Sequence, residues 1–499
     1  MTSLPAGSPP SAPASTAAQR AVLLLTTIGT LMVAVDSTIV ILALPTMARD
    51  LVSPLSTIIW TILIYLLITA ALTTQAGRLG DMFGRAGIYN LGFAIFTIGS
   101  AASGFAPNAE FLIAARAVQA VGGALVFALS GALIASAFPP ERRGRAFGFL
   151  VFGWSVGAIL GILLGGVITT ELGWRYIFFI NIPIGIVAVT VGLRTLPRTA
   201  PRKVAFDFAG FALLSTMLAL ICYGLIELAV FGVSATNVAY VVVGFLLLPL
   251  FIFAELRTRE PLLELRQLRN RLLGFALLAG LFQALGYLSV IFLLTMYLQG
   301  LRGLSPLDAS LLLVPGYLLG AMVGPWMGTR VDRRGARTLA TAGIALMAVA
   351  VLGYSQLTIN SWLGWIPVIS LVTGTGSGMF YPANNTAVMA QSTPRTFGEI
   401  SGLRVTLANI GTLLSFVLSL TIASASIPRY LAYEVFLGTT NLVGGIGADF
   451  LTGIHAALYG SVVILAIAAV LSWARGRETG AAVEVSTGAA ISPSEPDSP

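Results

Sequence analysis

The chain has little charge, a single cysteine and a single histidine. Asp, Glu, Lys and Arg make up 10% of its 499 residues, whereas soluble domains contain about 25%. The one cysteine, Cys222, excludes an intramolecular disulfide and a metal site made of cysteines alone. There is no histidine pair for zinc and no Walker-type glycine-rich run for a nucleotide. These absences argue against an enzyme, against redox chemistry and against ATP-driven transport, and no cofactor is predicted.

Apolar residues are abundant, at 57% of the chain with a mean hydropathy of +0.91. Runs of roughly 18 to 25 apolar residues are long enough to cross a bilayer as a helix. Fourteen such runs predict an all-α integral membrane protein. They cover residues 21–44, 56–76, 88–106, 110–134, 147–169, 176–195, 208–227, 237–255, 272–297, 306–328, 338–357, 363–388, 400–425 and 453–473.

The net charge of +8 does not indicate nucleic acid, because the basic residues lie in short loops between apolar runs. With both termini in the cytoplasm, most of the 28 basic residues fall on the inner side, as the positive-inside rule requires. The residues placed elsewhere are Arg49, Arg175, Arg302 and Arg429 outside, and Arg116 within the fourth run. This distribution predicts an even number of spans.

Both ends of the chain differ from the apolar body. Residues 1–20 are rich in Pro, Ser and Ala, and residues 476–499 are small, polar and acidic, so both are predicted to be disordered tails. The first basic side chain is Arg20, and the apolar run after it has the length of a full bilayer crossing. A cleavable signal peptide is therefore not predicted.

An internal repeat predicts a duplicated bundle. Gly77, Asp81 and Gly84 recur 251 positions later as Gly328, Asp332 and Gly335. We expect two six-helix halves, residues 21–195 and 272–475, joined by two linker helices within residues 196–271. Repeats of this kind with a solute site between them are typical of transporters.

Several segments resemble motifs of the major facilitator superfamily, and in particular its fourteen-span drug/proton antiporter family. Residues 77–85 resemble its loop motif, residues 36–45 its first-span signature, and residues 174–185 its turn between the fifth and sixth spans. Further matches are Leu112, Arg116, Gln119, Gly122, Asp207, Phe208, Ala209, Gly210, Tyr297, Gln299, Gly303, Ser305, Pro306 and Pro315. The resemblance covers residues 21–475 and implies the major facilitator fold. Ile162 replaces the proline of the antiporter motif in the fifth span, and the second span has no acid, which argues against doubly charged cations.

Asp36 lies in the first apolar run, about 20 Å from its cytoplasmic end at 1.5 Å per residue. A carboxylate inside a bilayer costs at least a few kcal/mol, so it usually faces a bundle interior and marks a solute or proton path. Asp36 is therefore the predicted coupling acid. The resemblance implies that Arg116 helps to set its protonation. The alternatives are a packing acid satisfied by Ser37 or Thr38, and an Arg116 that only stabilises the fold.

The repeated loop predicts a conformational latch made of Gly77, Asp81, Gly84, Arg85 and Asp332. Asp81 is expected near the start of the third span, where a helix favours an anion. The two glycines would permit a tight turn, and Arg78 and Arg85 would pair with acids of neighbouring helices. The alternative is an ordinary topology signal.

Glycine recurs every four residues in the fifth run, at Gly153, Gly157, Gly161 and Gly165. This spacing predicts a smooth helix seam on which two halves could rock. Outside these groups, Glu227 is expected to be an interface residue of a linker helix and His455 to be structural, while the role of Glu399 stays open.

The predicted function is proton-coupled export of lipophilic small molecules such as drugs, dyes or antibiotics across the cell membrane. The expected partners are a small lipophilic or cationic solute, protons and membrane lipid, with no nucleic acid, and the protein is expected to be a monomer. Export of a lipid or secondary metabolite, or uptake of a solute on the same fold, is the alternative. A membrane receptor would need a soluble signalling domain, which neither tail supplies.

Overall fold

The computed structural model describes residues 16–197, 207–258, 261–391, 397–425 and 446–476. Within these ranges all regular structure is helical. The first six long helices, here called the N-terminal half, are α1 (Thr16–Asp50), α2 (Trp60–Phe83), α3 (Arg85–Gly104), α4 (Ala109–Ala137), α5 (Pro140–Glu171) and α6 (Asn181–Thr195). The linker helices are α7 (Phe208–Phe231) and α8 (Ala235–Arg257). The C-terminal half comprises α9 (Arg271–Tyr287), α10 (Pro306–Arg334), α11 (Ala336–Tyr354), α12 (Trp365–Met389), α13 (Phe397–Ala425) and α14 (Ile446–Ala474).

Short helical segments complete these elements. Leu55–Ile58 precedes α2, Tyr176–Phe179 precedes α6, and the 3-10 segment Leu265–Arg269 precedes α9. Two further segments, Val290–Thr295 and the π-helical Met296–Leu301, extend α9.

A long helix overlaps each predicted apolar run, but not every one of these helices is apolar enough to count as a membrane crossing. By length and apolarity, twelve helices of the described ranges can cross a membrane. The helix α2, bent by 56° near Thr74, brings the number to thirteen if it is one span. The helix α12 is not among them, and its Gly-, Thr- and Asn-rich sequence explains why. Fourteen crossings therefore stay a prediction.

The first helix begins earlier than expected. α1 starts at Thr16, so residues 16–20 are helical and the predicted tail boundary at residue 20 is wrong. The reason is a tertiary contact, because the Gln19 side chain donates to the carbonyl of Ala137 at 3.1 Å. The remaining tail residues, 1–15 and 477–499, lie outside the described residues.

The repeat seen in the sequence is also present in the backbone. Gly84 separates α2 from α3 with φ +97°, and Gly335 separates α10 from α11 with φ +78°. At positive φ values such as these, the backbone of a residue with a Cβ atom is strained, whereas that of glycine is not. The two halves therefore turn between their second and third helices in the same way.

Helix packing brings the halves together along α5 and α10 and along α2 and α13. Within the N-terminal half, α1 packs along α5, and α3 along α4. The linker helices pack on each other, with α7 touching α2 and α13. Only 17% of the apolar window of α8 is buried, so its outer surface is left for lipid.

The halves are joined by hydrogen bonds at one end of the bundle. Gln299 Nε2 donates to the carbonyl of Leu42 at 3.1 Å, and Leu307 N donates to Thr170 Oγ1 at 3.2 Å. Both contacts lie near the last turns of α1 and α5. We call this end of the molecule the closed end.

Candidate functional site

Asp36 lies fully buried in α1, opposite two polar side chains of α4. Arg116 Nη1 donates to Asp36 Oδ2 at 2.7 Å, and Gln119 Nε2 donates to Asp36 Oδ1 at 2.8 Å. Residues three apart on a helix share one face, which is why Arg116 and Gln119 reach the same carboxylate. The structure thus brings together the predicted pair and adds Gln119.

The guanidinium group of Arg116 makes further hydrogen bonds and aromatic contacts beside its bond to Asp36. Its Nε donates to the carbonyl of Thr61 at 3.0 Å, and its Nη1 also donates to Gln119 Oε1 at 2.8 Å. The ring of Tyr65 lies 4.4 Å from the guanidinium carbon and that of Phe178 lies 5.7 Å away, within the range of cation–π attraction. Arg116 is only 1% exposed, so it sits in a closed polar network.

Asp36 is not a packing acid satisfied by its neighbours. The Ser37 hydroxyl donates to the carbonyl of Val33 at 2.7 Å, and the Thr38 hydroxyl donates to that of Ala34 at 3.1 Å. The Ser37 hydroxyl therefore serves its own helix, and the Thr38 hydroxyl contacts backbone carbonyls of α1 and, at 3.3 Å, that of Ala158 in α5, so neither satisfies the carboxylate. The carboxylate depends on α4 instead.

The buried pair is electrically neutral while Asp36 is ionised. Adding a proton to the carboxylate would cancel its attraction for Arg116 and leave a net positive charge in the site. Removing one member of a buried pair is strongly unfavourable because the other charge is left without a partner. The network can therefore couple proton binding to the packing of α1 against α4.

Two of the predicted latch residues, Asp81 and Arg85, form an ion pair at the turn between α2 and α3. Arg85 Nε donates to Asp81 Oδ1 at 2.7 Å, and Arg85 Nη1 donates to the carbonyl of Ala132 in α4 at 3.1 Å. Asp81 lies in the last turn of α2, so its predicted place near the start of the third span is wrong. It acts on that span through Arg85, the first residue of α3.

Gly84, rather than Gly77, makes the turn. Gly77 is inside α2, and a Cβ atom added there would meet nothing within 4 Å. Its predicted role in a tight turn is wrong, because α2 continues for six residues beyond it. Asp332 occupies the equivalent helical position in α10, and its side chain lies outside the described residues.

Two acids to which the sequence analysis gave no role, Asp207 and Glu255, fix the linker beside this turn. Asp207 Oδ2 accepts from Leu262 N at 3.0 Å, and Glu255 Oε2 accepts from Leu263 N at 2.8 Å. Arg78 Nη2 donates to the carbonyl of Pro261 at 2.5 Å. The segment before α9 is thereby tied to the start of α7, to the last turn of α8 and to α2.

The glycine seam joins two helices of the same half. Cβ atoms added at Gly153, Gly157, Gly161 and Gly165 would lie within 3 Å of the carbonyl oxygens of Thr27, Leu31, Val35 and Ile39 respectively. These acceptors also recur every four residues, along α1. The prediction that the two halves rock on this seam is wrong, because both helices belong to the N-terminal half.

The neighbouring Gly166 faces the other half. A Cβ atom there would lie 2.3 Å from Ser310 Oγ of α10 and 2.8 Å from the carbonyl of Pro306. The contact between halves thus uses a different face of α5, which the period of four did not indicate.

The three remaining residues lie away from the Asp36 network. His455 Nε2 contacts the carbonyl of Leu357 at 2.7 Å, and the carbonyl of Glu227 accepts from Asn237 Nδ2 at 3.3 Å. The first contact ties α14 to the end of α11, and the second joins the linker helices to each other. Glu399 lies in the first turn of α13, and its side chain is outside the described residues.

A cavity with polar groups lies in the C-terminal half, between α9, α12 and α13. Its charged group is Arg404, which the sequence analysis placed with the inner loops although it belongs to an apolar helix segment. The cavity residues are Ala276, Leu277, Gly280, Gln283, Phe380, Tyr381, Asn384, Asn385, Arg404 and Ala408.

Comparison with known proteins identifies the family. Residues 26–416 match the Major Facilitator Superfamily. The chain belongs to this superfamily. It is similar to the riboflavin transporter RibZ of Clostridioides difficile, at 31% identity over 415 residues that cover 83% of this chain and 89% of the relative. It is also similar to the tetracenomycin C resistance and export protein of Streptomyces glaucescens, at 30% identity over 402 residues, 78% of this chain and 73% of the relative.

The fold of this superfamily member is confirmed by solved structures. A bacterial homolog of the human lysosomal transporter Spinster, inward-facing and unoccupied, matches with a TM-score of 0.65 at 17% identity. The match covers 92% of this chain and 97% of that one. The prediction of an all-α major facilitator fold is therefore confirmed. Membership of the superfamily and its transporter relatives confirm the prediction of a small-solute transporter rather than an enzyme.

Proposed function

We propose that this transporter is a proton-coupled exporter of lipophilic small molecules, with Asp36 as the coupling acid. The observation that carries the proposal is a fully buried carboxylate whose charge is balanced by Arg116 and whose second oxygen is held by Gln119. Buried charges in membrane helices are expensive and usually mark a solute or proton path. The resistance and export relative supports export as the direction.

The orientation follows from charge. With both termini in the cytoplasm, the basic loops face inward, and the closed end near Leu42 and Gln299 faces outward. On this proposal, the state shut toward the outside is the one in which Asp36 is ionised and paired with Arg116. Asp36 gives up its proton to take solute on the inner side. A proton from the outside later displaces the cargo and breaks the pair with Arg116.

Helix packing supplies the moving parts. The seam holds α1 and α5 together through Gly157 and Gly161, so Asp36 travels with α5 as one unit. A different face of α5 meets α10 at Gly166, and there α5 can slide on α10. The Asp81–Arg85 pair links the α2–α3 turn to α4, where it acts as a latch on the exchange between inward and outward forms.

A second candidate is transport of one metabolite, in either direction, on the same fold. The observation that favours it is the similarity to a protein named as a riboflavin transporter. A narrow substrate range would support it. A broad range of unrelated lipophilic compounds would support the multidrug proposal.

The test is solute-induced proton release from purified protein, with a panel of lipophilic drugs, dyes and riboflavin as solutes. Wild type should release protons on binding, and Asp36→Asn should release none because an amide cannot cycle a proton. Asp50→Asn is the matched control, since Asp50 is on the same helix and pairs with Arg175 at the surface. It should release protons as wild type does.

Vesicle transport completes the test. Uphill efflux from inverted vesicles should collapse with a protonophore and persist without ATP while the gradient is maintained. Undiminished proton release from Asp36→Asn, or efflux that follows ATP rather than the gradient, would overturn the proposal.

A further inference from the structure

Arg404 is a cation inside an apolar helix segment, and no acid of the described residues pairs with it. It lies seven residues into α13, about 10 Å along the helix axis, within the membrane-spanning segment Ile400–Ala423. Among the described residues no ion pair or hydrogen bond reaches its guanidinium group, and its Nε is buried without a partner. Arg116, by contrast, donates hydrogen bonds to Asp36, Gln119 and the carbonyl of Thr61.

The cavity next to Arg404 offers further donors and no acid. Gln283 Nε2 donates to the hydroxyl oxygen of Tyr381 at 3.3 Å, which leaves the Tyr381 hydrogen free to donate. Asn385 adds a side-chain amide to the same cavity wall. Leu277 and Phe380 provide apolar surface beside these groups. The cavity therefore pairs one positive charge and neutral donors with an apolar wall.

From this arrangement we propose that the C-terminal cavity binds the anionic group of an amphiphilic solute, with Arg404 as its main contact. A guanidinium group binds a carboxylate through two parallel hydrogen bonds, and such a ligand supplies the partner that the partly buried Arg404 lacks among the described residues. Phe380 and Leu277 contact the apolar body. This proposal adds the charge class of the solute to the proposed function. It rests on that function in one respect, that this cavity is part of the solute path.

A negative solute also suits the proposed exchange. A proton that enters and a monoanion that leaves both move positive charge inward in electrical terms, so an inside-negative membrane potential drives both. A cationic cargo would oppose that potential and would also be repelled by Arg404. The cationic alternative for the solute is therefore disfavoured.

The experiment measures binding without a gradient, so its result does not depend on proton coupling. Benzoate, 1-naphthoate and 9-anthracenecarboxylate, each paired with its primary amide, are tested by equilibrium dialysis against the full chain in nanodiscs of phosphatidylcholine. At least one acid should bind wild type ten-fold or more tightly than its amide. Arg404→Gln should abolish this preference, and Arg404→Lys should retain part of it.

Two controls separate charge from folding. Arg271→Gln removes an exposed arginine at the start of α9, outside the cavity, and should keep the preference for the acid. The Tm of Arg404→Gln should equal or exceed that of wild type, because the substitution removes a partly buried charge that no described residue pairs. The proposal fails if no acid binds better than its amide, or if the preference persists in Arg404→Gln.

A lipid headgroup could present the same anionic chemistry. Phosphatidylglycerol is therefore added to the nanodiscs in a separate series. If it raises the Tm of wild type but not of Arg404→Gln while no acid binds, the anion comes from lipid and the solute proposal is overturned. If an acid binds in both lipid compositions and only Arg404→Gln loses it, the solute proposal stands, whatever the outcome of the proton-release test.

Discussion

In the N-terminal half Gly161 of α5 lies against the carbonyl of Val35 in α1, and in the C-terminal half Gly411 of α13 lies against that of Leu281 in α9. Each contact joins the fifth helix of a half to the first. The residue that follows the carbonyl is Asp36 in one half and Phe282 in the other. The same close contact between the first and fifth helices therefore has an acid beside it in the N-terminal half only.

The halves differ in charge as well. The N-terminal half neutralises Arg116 with Asp36 at 2.7 Å, whereas Arg404 in the C-terminal half has no acid among the described residues. The two halves share this helix contact and differ in the charged residues beside it. The difference suggests a division of labour, with the proton handled in one half and the solute anion in the other.

The largest expected effect tests the N-terminal pair by charge imbalance. Arg116→Gln leaves the Asp36 carboxylate buried with no cation, which should lower the free energy of unfolding by about 3–5 kcal/mol. The double variant Asp36→Asn/Arg116→Gln should recover most of that loss and still release no protons. Thermal unfolding in detergent and solute-induced proton release are the measurements.

The matching change in the other half is Arg404→Gln, which should not destabilise the protein. If the Arg404 variant loses as much stability as Arg116→Gln, the proposed difference between a paired and an unpaired arginine is wrong. It is also wrong if the double variant is as unstable as the single one, since the two charges would then not act as a pair.

The second prediction concerns the shared helix contact. Gly161→Leu would place side-chain atoms on the carbonyl of Val35, and Gly411→Leu would place them on that of Leu281, so each should cost about 3 kcal/mol of stability. Both variants should lose transport. Gly148→Leu on α5 is the control, because a Cβ atom there meets nothing within 4 Å.

Folded protein yield and transport rate would show the result. Full activity of Gly161→Leu would mean that α1 and α5 separate during transport. A loss in Gly161→Leu with an active Gly411→Leu would show that the halves do not use this contact alike.

The third prediction tests the repeated loop. Asp81→Asn removes the charge that holds Arg85, a partly exposed pair of the kind worth up to about 1 kcal/mol, so turnover should slow about five-fold with unchanged solute Kd. Asp332→Asn reports whether the C-terminal half uses its loop in the same way. Equal rates for wild type and Asp81→Asn would leave Asp81 as a topology signal only.

The sequence predicted the helices well because lipid leaves a long apolar run one stable solution. It predicted their ends poorly, since helices continue beyond the membrane wherever tertiary contacts support them. α5 begins at Pro140 although its apolar run starts at residue 147. Fourteen crossings depend on α12, whose polar and glycine-rich sequence suits the inside of a bundle.

The site was predictable only where a charge stands out. Asp36 and Arg116 were found because charged residues are rare within spans. Gln119 carries no such signal, and Arg404 lies so near the start of its run that it reads as a loop residue. The period of the seam indicated a close contact, but only packing shows that its partner is α1.

The smallest expected effect concerns the contact by which the unlike halves meet at the closed end. Gln299→Leu removes the hydrogen bond to the carbonyl of Leu42, which is worth about 0.5–1.5 kcal/mol. The population open at this end should rise by a factor of about 2 to 10, which such a free energy permits.

Spin labels in place of Phe105 and Trp362, exposed residues of the two halves at this end, report the opening as longer label-to-label distances. Cys222 is buried and is replaced by serine to leave two labelling sites. Gln356→Leu is the control, because Gln356 contacts Tyr459 within its own half. An unchanged distance distribution in Gln299→Leu, or an equal shift in the control, would show that this hydrogen bond does not hold the halves together.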